Sequence, residues 1–97
     1  MPFGRHSGFS FSTVSVRQNA PACSGVYGLS NSRGWVYVGI ADDIQAALLG
    51  HLSEPDSTSN SNEATGFTFE PCEASRRTER QNRLITELRP LANYRTA

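Results

Sequence analysis

Apolar and small polar positions alternate along Phe9-Ser10-Phe11-Ser12-Thr13-Val14-Ser15-Val16, with one slip at Thr13. Alternation of this kind puts one row of side chains on a sheet face, so a half-buried strand with a bulge or break near Thr13 is predicted over 9–16. Asn19-Ala20-Pro21 ends it. Ser24 to Leu29 begins a second strand, and Trp35-Val36-Tyr37-Val38-Gly39-Ile40 is rich in the aromatic and β-branched residues that suit a pleated surface. Between the two, Asn31-Ser32-Arg33-Gly34 has the composition of a turn, which predicts a β-hairpin.

Asp42 or Asp43 is suited to cap the next helix. Gln45 stands three positions after Asp42 as in a capping box, and Ile44, Leu48 and Leu52 supply a buried stripe. Residues 53–66 contain no large apolar side chain, and burial cannot offset the entropy of ordering them, so a mobile surface loop is expected. Phe67-Thr68-Phe69-Glu70 alternates as a third strand, stopped by Pro71. A helix over 74–88 follows, with Ala74, Thr78, Gln81, Ile85 and Leu88 predicted on its inward face, most of the Arg elsewhere, and Pro90 marking its end. This order of elements predicts an α+β fold, a small antiparallel three-stranded sheet flanked by helices. Residues 1–20 form an N-terminal extension that adds an extra edge strand or makes a dimer contact.

A chain of 97 residues has room for one domain, 1–97. No apolar run approaches the roughly 20 residues that a bilayer needs, and no apolar h-region follows Arg5. Neither a membrane span nor a secretory signal is predicted, and the cytoplasm is the expected compartment. Cys23 and Cys72 are too few and too far apart for a disulfide scaffold or a zinc knuckle, so both are expected as free, half-buried thiols and no metal site is predicted.

The zero net charge conceals three blocks. Residues 1–39 carry only basic charges, Arg5, Arg17 and Arg33; residues 40–73 carry only acidic ones, Asp42, Asp43, Glu54, Asp56, Glu63, Glu70 and Glu73. Residues 74–97 carry Arg76, Arg77, Arg80, Arg83, Arg89 and Arg95 against Glu79 and Glu87. Arg76, Arg77, Arg80 and Arg83, with Arg33 on the hairpin turn, are the candidate nucleic-acid contacts. Because phosphate neutralisation supplies most non-specific affinity, a chain without net positive charge is expected to bind DNA only weakly. A protein partner or a second copy of the chain is the other expectation.

Three residues carry the candidate chemistry. By type alone, Tyr27 and Tyr37 read either as packed sheet aromatics or as acid–base groups, and His51, one turn beyond Ala47 on the same helical face, as a hydrogen-bonder or a proton carrier. Their spacing goes further. Gly25-Val26-Tyr27, a nine-residue gap and Tyr37-Val38-Gly39 resemble the two motifs of the GIY-YIG endonuclease family. A helix carrying His51 follows, then a third strand, and the last helix runs from Glu79 through Leu84-Ile85-Thr86-Glu87-Leu88-Arg89-Pro90 to Asn93, similar to the family's L-I-x-x-L-x-P-x-x-N ending. The resemblance spans residues 25–93.

The resemblance implies a concave site in which a Tyr helps deprotonate the attacking water, an Arg on the middle helix grips the phosphate, and a Glu on the last helix holds one divalent metal. Tyr27 and Tyr37 stand at the motif tyrosines, and His51 where the family often has His or Tyr. The Arg position falls on Ala47 and the Glu position on Gln81. An Arg at a phosphoryl transition state is worth about 10³- to 10⁵-fold in rate, and one lost transition-state donor about 10²- to 10³-fold. Mg²⁺ is normally held through one or two carboxylates, and Glu79, about 200° around the helix from Gln81, cannot take over. The implied function is a nuclease-like domain that is inactive or severely impaired, needs no cofactor, and acts as a nucleic-acid-binding or protein-interaction module. The alternative is a metal-dependent DNA endonuclease with a rearranged site, which would require Mg²⁺ or Mn²⁺. A purely structural oligomerisation domain is the third reading.

Overall fold

The structure, a computed structural model, describes residues 8–54, 63–90 and 93. In chain order its elements are β1 (Phe9–Ser10), α1 (Thr13–Asn19), β2 (Gly25–Asn31), β3 (Gly34–Ala41), α2 (Ile44–Ser53), β4 (Gly66–Pro71) and α3 (Ala74–Leu88). Every strand pair is antiparallel, in the order β1-β4-β2-β3. The α+β class and its three predicted sheet strands are as expected, and the extra N-terminal strand is the two-residue β1.

Half of the strand predicted over 9–16 is helix, which begins at the break expected near Thr13. Phe9 pairs with Phe67 and its ring lies 5.4 Å from that of Phe67, but the chain turns at Ser12, whose side chain accepts from Ser15 N and caps α1. Val14 and Val16 explain the misreading. In a strand they would share a face, whereas two positions on a helix are about 200° apart. Accordingly Val16 is fully buried and Val14 is 65% exposed.

The hairpin closes through Ser32 and Arg33. Asn31 Oδ1 accepts from Arg33 N at 2.9 Å, and the left-handed excursion falls on Gly34 at φ 135°, a conformation that glycine adopts without steric cost. Farther along, the register slips between Leu29 and Ser30, so that Leu29 opposes Tyr37 and Ser30 opposes Trp35. Val36 is the extra residue of a β-bulge. It packs in the same core as Tyr37, and Trp35 turns to the other side of the sheet.

Two cores result. Tyr27, Leu29, Val36, Phe67 and Phe69 meet Val16, Ala20, Ile44 and Leu48 from α1 and α2; Val26 and Val38 meet Leu84 of α3, with Trp35, Cys72, Ile85 and Leu88 around them. The α3 face differs from its prediction. Ala74 and Thr78 are exposed, and the inward row is Arg77, Arg80, Gln81, Leu84, Ile85 and Leu88. Arginine stems can cover apolar surface while their heads find partners, which a reading based on apolar residues overlooks.

The first turn of α2 accounts for its unpaired N–H groups. Ile44 N donates to Cys23 O, Gln45 N to Pro21 O, and Ala46 N to Asp43 Oδ1 at 2.9 Å. Asp43 is therefore the cap. Asp42 instead pairs with Arg77, and the Gln45 amide donates to Ala20 O at 3.1 Å, so the expected capping box between Asp42 and Gln45 does not form. Much of the predicted mobile loop lies outside the described residues. At its edges Ser53 belongs to α2 and Gly66 to β4, while Thr65 N donates to Ser30 O at 2.8 Å. Cys23 and Cys72 are free and half-buried, and burial, followed by the charge of Glu70, pushes the Cys72 thiol above its ordinary pKa.

Among the described residues one buried side-chain oxygen has no partner, Thr68 Oγ1. An unmade buried hydrogen bond costs about 1–3 kcal/mol, so Thr68→Val should leave stability unchanged or raise it by about 1 kcal/mol. Urea unfolding measures this, and a loss larger than about 1 kcal/mol would mean that the hydroxyl is satisfied.

Candidate functional site

Register brings the candidate residues together. Tyr27 of β2 lies opposite Gly39 of β3, and Tyr37 stands two residues before Gly39. The two rings are 6.1 Å apart between centroids. His51 arrives from the last turns of α2, its ring 5.6 Å from Tyr27 and 5.9 Å from Tyr37. Tyr27 Oη and His51 Nε2 are hydrogen-bonded at 2.7 Å, the phenol donating when Nε2 carries no proton. Tyr27 is only 4% exposed, and Tyr37 and His51 are half-buried.

Gly39 is what makes room for them. A Cβ there would lie 2.6 Å from the Tyr27 Cζ and Oη and 2.7 Å from a Tyr37 ring carbon. The second motif thus ends in glycine for a steric reason, because two phenol rings occupy the space above the backbone. Ala47 lies one turn before His51 and packs at the margin of the first core with no polar group to offer.

Gln81 of α3 is engaged at the backbone between Tyr37 and Gly39. Its Nε2 donates to Val38 O at 3.1 Å; Asn93 donates to the same carbonyl at 3.1 Å and accepts from Val38 N at 2.8 Å. Val38 lies between Tyr37 and Gly39 on the outer edge of the sheet, so these amides serve the strand's unpaired backbone groups in place of a further strand. The closing pattern pointed to Asn93, but nothing in it pointed to this bidentate contact.

The candidate nucleic-acid contacts divide into two sets. Arg33, Arg76 and Arg83 are exposed. Arg77 pairs with Asp42, and Arg80 makes a bidentate pair with Glu70 through Nε at 2.7 Å and Nη2 at 2.9 Å. The hydrogen bond to Glu70 pushes the Arg80 guanidinium pKa further up, against the smaller opposing effect of burial. Both pairs pin the N-terminal half of α3 to the sheet and to the approach to α2. Glu79, by contrast, is exposed.

This arrangement has solved counterparts. The N-terminal GIY-YIG endonuclease domain of UvrC from Thermotoga maritima, bound to magnesium as its catalytic divalent cation, superposes with a TM-score of 0.68 at 23% identity, over 80% of this chain and 94% of that one. The chain has the GIY-YIG fold. A tyrosine variant of the same domain gives a TM-score of 0.69 at 23% identity over 82% and 96%, and an asparagine variant 0.67 at 22% over 79% and 92%. No protein-family model matches the sequence, and no curated protein sequence does.

Within the GIY-YIG fold the glycine of the second motif should be irreplaceable. Gly39→Ala should destabilise the domain by about 1–3 kcal/mol and disturb the tyrosine signals in near-ultraviolet circular dichroism. Gly50, inside α2 with nothing within 4 Å of an added Cβ, is the control: Gly50→Ala should stabilise by up to about 1 kcal/mol. Equal effects of the two substitutions in denaturant melts would contradict the steric account.

Proposed function

We propose that this GIY-YIG-fold domain binds nucleic acid without cleaving it. The observation that carries the reading is Gln81: at the position where the resemblance implies a metal-holding carboxylate, a neutral amide spends its donor on the Val38 carbonyl. Ala47 supplies no cation at the position implied for the phosphate-gripping Arg.

The donor set also argues against a resident divalent cation. Tyr27, Tyr37, His51 and Gln81 offer two phenols, an imidazole and an amide, whereas Mg²⁺ prefers oxygen ligands that include one or two carboxylates. On the adjoining elements, the carboxylates of Asp42 and Glu70 are held in ion pairs with Arg77 and Arg80. Among the described residues no three His, Cys, Asp or Glu gather as a metal cluster. These residues do not fit the metal.

What remains can still hold a strand. Arg33, Arg76 and Arg83 are exposed and free to meet phosphate, and Arg is suited to its planar, bidentate recognition. With no net positive charge on the chain, binding should be weak and should fall steeply between low and physiological salt. The second reading, an endonuclease with a rearranged site, draws on one observation, the short Tyr27–His51 hydrogen bond, which could polarise a phenol for proton transfer.

Nicking of supercoiled plasmid with Mg²⁺ or Mn²⁺ separates the two. The chain as it stands should leave the plasmid intact, and Ala47→Arg with Gln81→Glu should raise nicking by at least about 10²-fold. Robust nicking by the unaltered chain that disappears in Tyr37→Phe would overturn the proposal in favour of the second reading.

A further inference from the structure

At the hairpin end of the sheet, away from the tyrosine–histidine cluster, lies a hollow of about 510 Å³. Asn31, Arg33, Trp35, Glu63, Leu88 and Arg89 line it. Its volume is within the range of small-molecule sites, and two arginines and the tryptophan share its lining. Glu63 is fixed beside them, its carbonyl accepting from Asn31 Nδ2 at 3.1 Å.

A second observation singles out Arg89. It is the cap residue of α3, its N–H donating to Ile85 O at 2.9 Å, and it has φ 50° and ψ 58°. Among the described residues it is the one non-glycine with positive φ. Helices commonly place glycine at such a left-handed cap, because a side chain there is strained. This chain instead places an arginine there, next to a hollow that already holds Arg33. Strain retained where glycine would relieve it is a mark of function when the strained residue faces a site.

From this combination we propose that the hollow binds an unpaired nucleotide of a single nucleic-acid strand. Arg33 and Arg89 meet the phosphates, Trp35 offers a π face to the base, and the Glu63 carboxylate accepts from a base amino group, as glutamate does with cytosine. A duplex keeps its bases stacked and cannot present one to the indole. The proposal deepens the nucleic-acid reading above by naming what is bound and where.

Trp35 is the one tryptophan of the chain, so its emission reports on this hollow. The full chain is titrated at low salt with an oligodeoxycytidylate of about ten nucleotides, with a duplex of equal length and inorganic phosphate as comparisons. Saturable quenching by the single strand alone is expected, and Arg33→Gln and Arg89→Gly should each weaken it about tenfold or more. Arg89→Gly should at the same time raise Tm, which separates lost contacts from lost folding. Absent quenching, equal quenching by phosphate or duplex, or unchanged affinity in Arg89→Gly would each overturn the site. Salt-sensitive binding of nucleic acid that leaves the Trp35 emission unchanged would sink this site and leave the reading above standing, whereas no binding of either strand form at low salt would sink both.

Discussion

An edge strand must spend its outward-facing N–H and C=O groups somewhere, and β3 spends those of Val38 on side-chain amides. Asn93 supplies both a donor and an acceptor, and Gln81 adds a second donor to the carbonyl. This contact joins three parts of the molecule: the strand that carries Tyr37 and Gly39, the helix α3, and the segment beyond it. A carboxylate at position 81 would place two acceptors face to face at Val38 and lose the donor, at a cost of about 1–3 kcal/mol unless a cation sat between them. Glutamine at position 81 is therefore a structural tie between α3 and the edge of β3.

The same exchange recurs along α3. Arg77 and Arg80 belong to its inward row, where they neutralise Asp42 and Glu70. The Arg80–Glu70 pair keeps two half-buried charges in contact, and truncating either would leave the other partly buried without compensation, whereas the Asp42 carboxylate that meets Arg77 is 91% exposed and its pair adds little. The arrangement turns the basic C-terminal block from a uniform patch into a split one. Two arginines hold the helix in place, and Arg76 and Arg83 face solvent, where their charge acts at a distance.

Much of this was legible in the sequence. The β2–β3 hairpin could be read because aromatic and β-branched residues flank an Asn-Ser-Arg-Gly turn, and α3 because Pro71 and Pro90 bracket a helical composition. The tyrosine–histidine cluster was legible through motif spacing, which carries the register of two strands. What could not be read were contacts between elements distant in sequence. Val14 and Val16 fit strand and helix alike until the core decided which one is buried. Arg77 and Arg80 look like solvent residues until Asp42 and Glu70 come within reach of them, and Asn93 is one polar residue after a proline until it meets the edge of β3.

Thermal unfolding in the presence and absence of Mn²⁺ tests the central claim most directly, because a cation that binds only the folded chain raises Tm by mass action. The account predicts that Mn²⁺ leaves the Tm of the unaltered chain where it is, and that Gln81→Glu melts lower in chelator and recovers when Mn²⁺ is added. A Tm that rises with Mn²⁺ in the unaltered chain, or a Gln81→Glu chain as stable in chelator as the original, would contradict it.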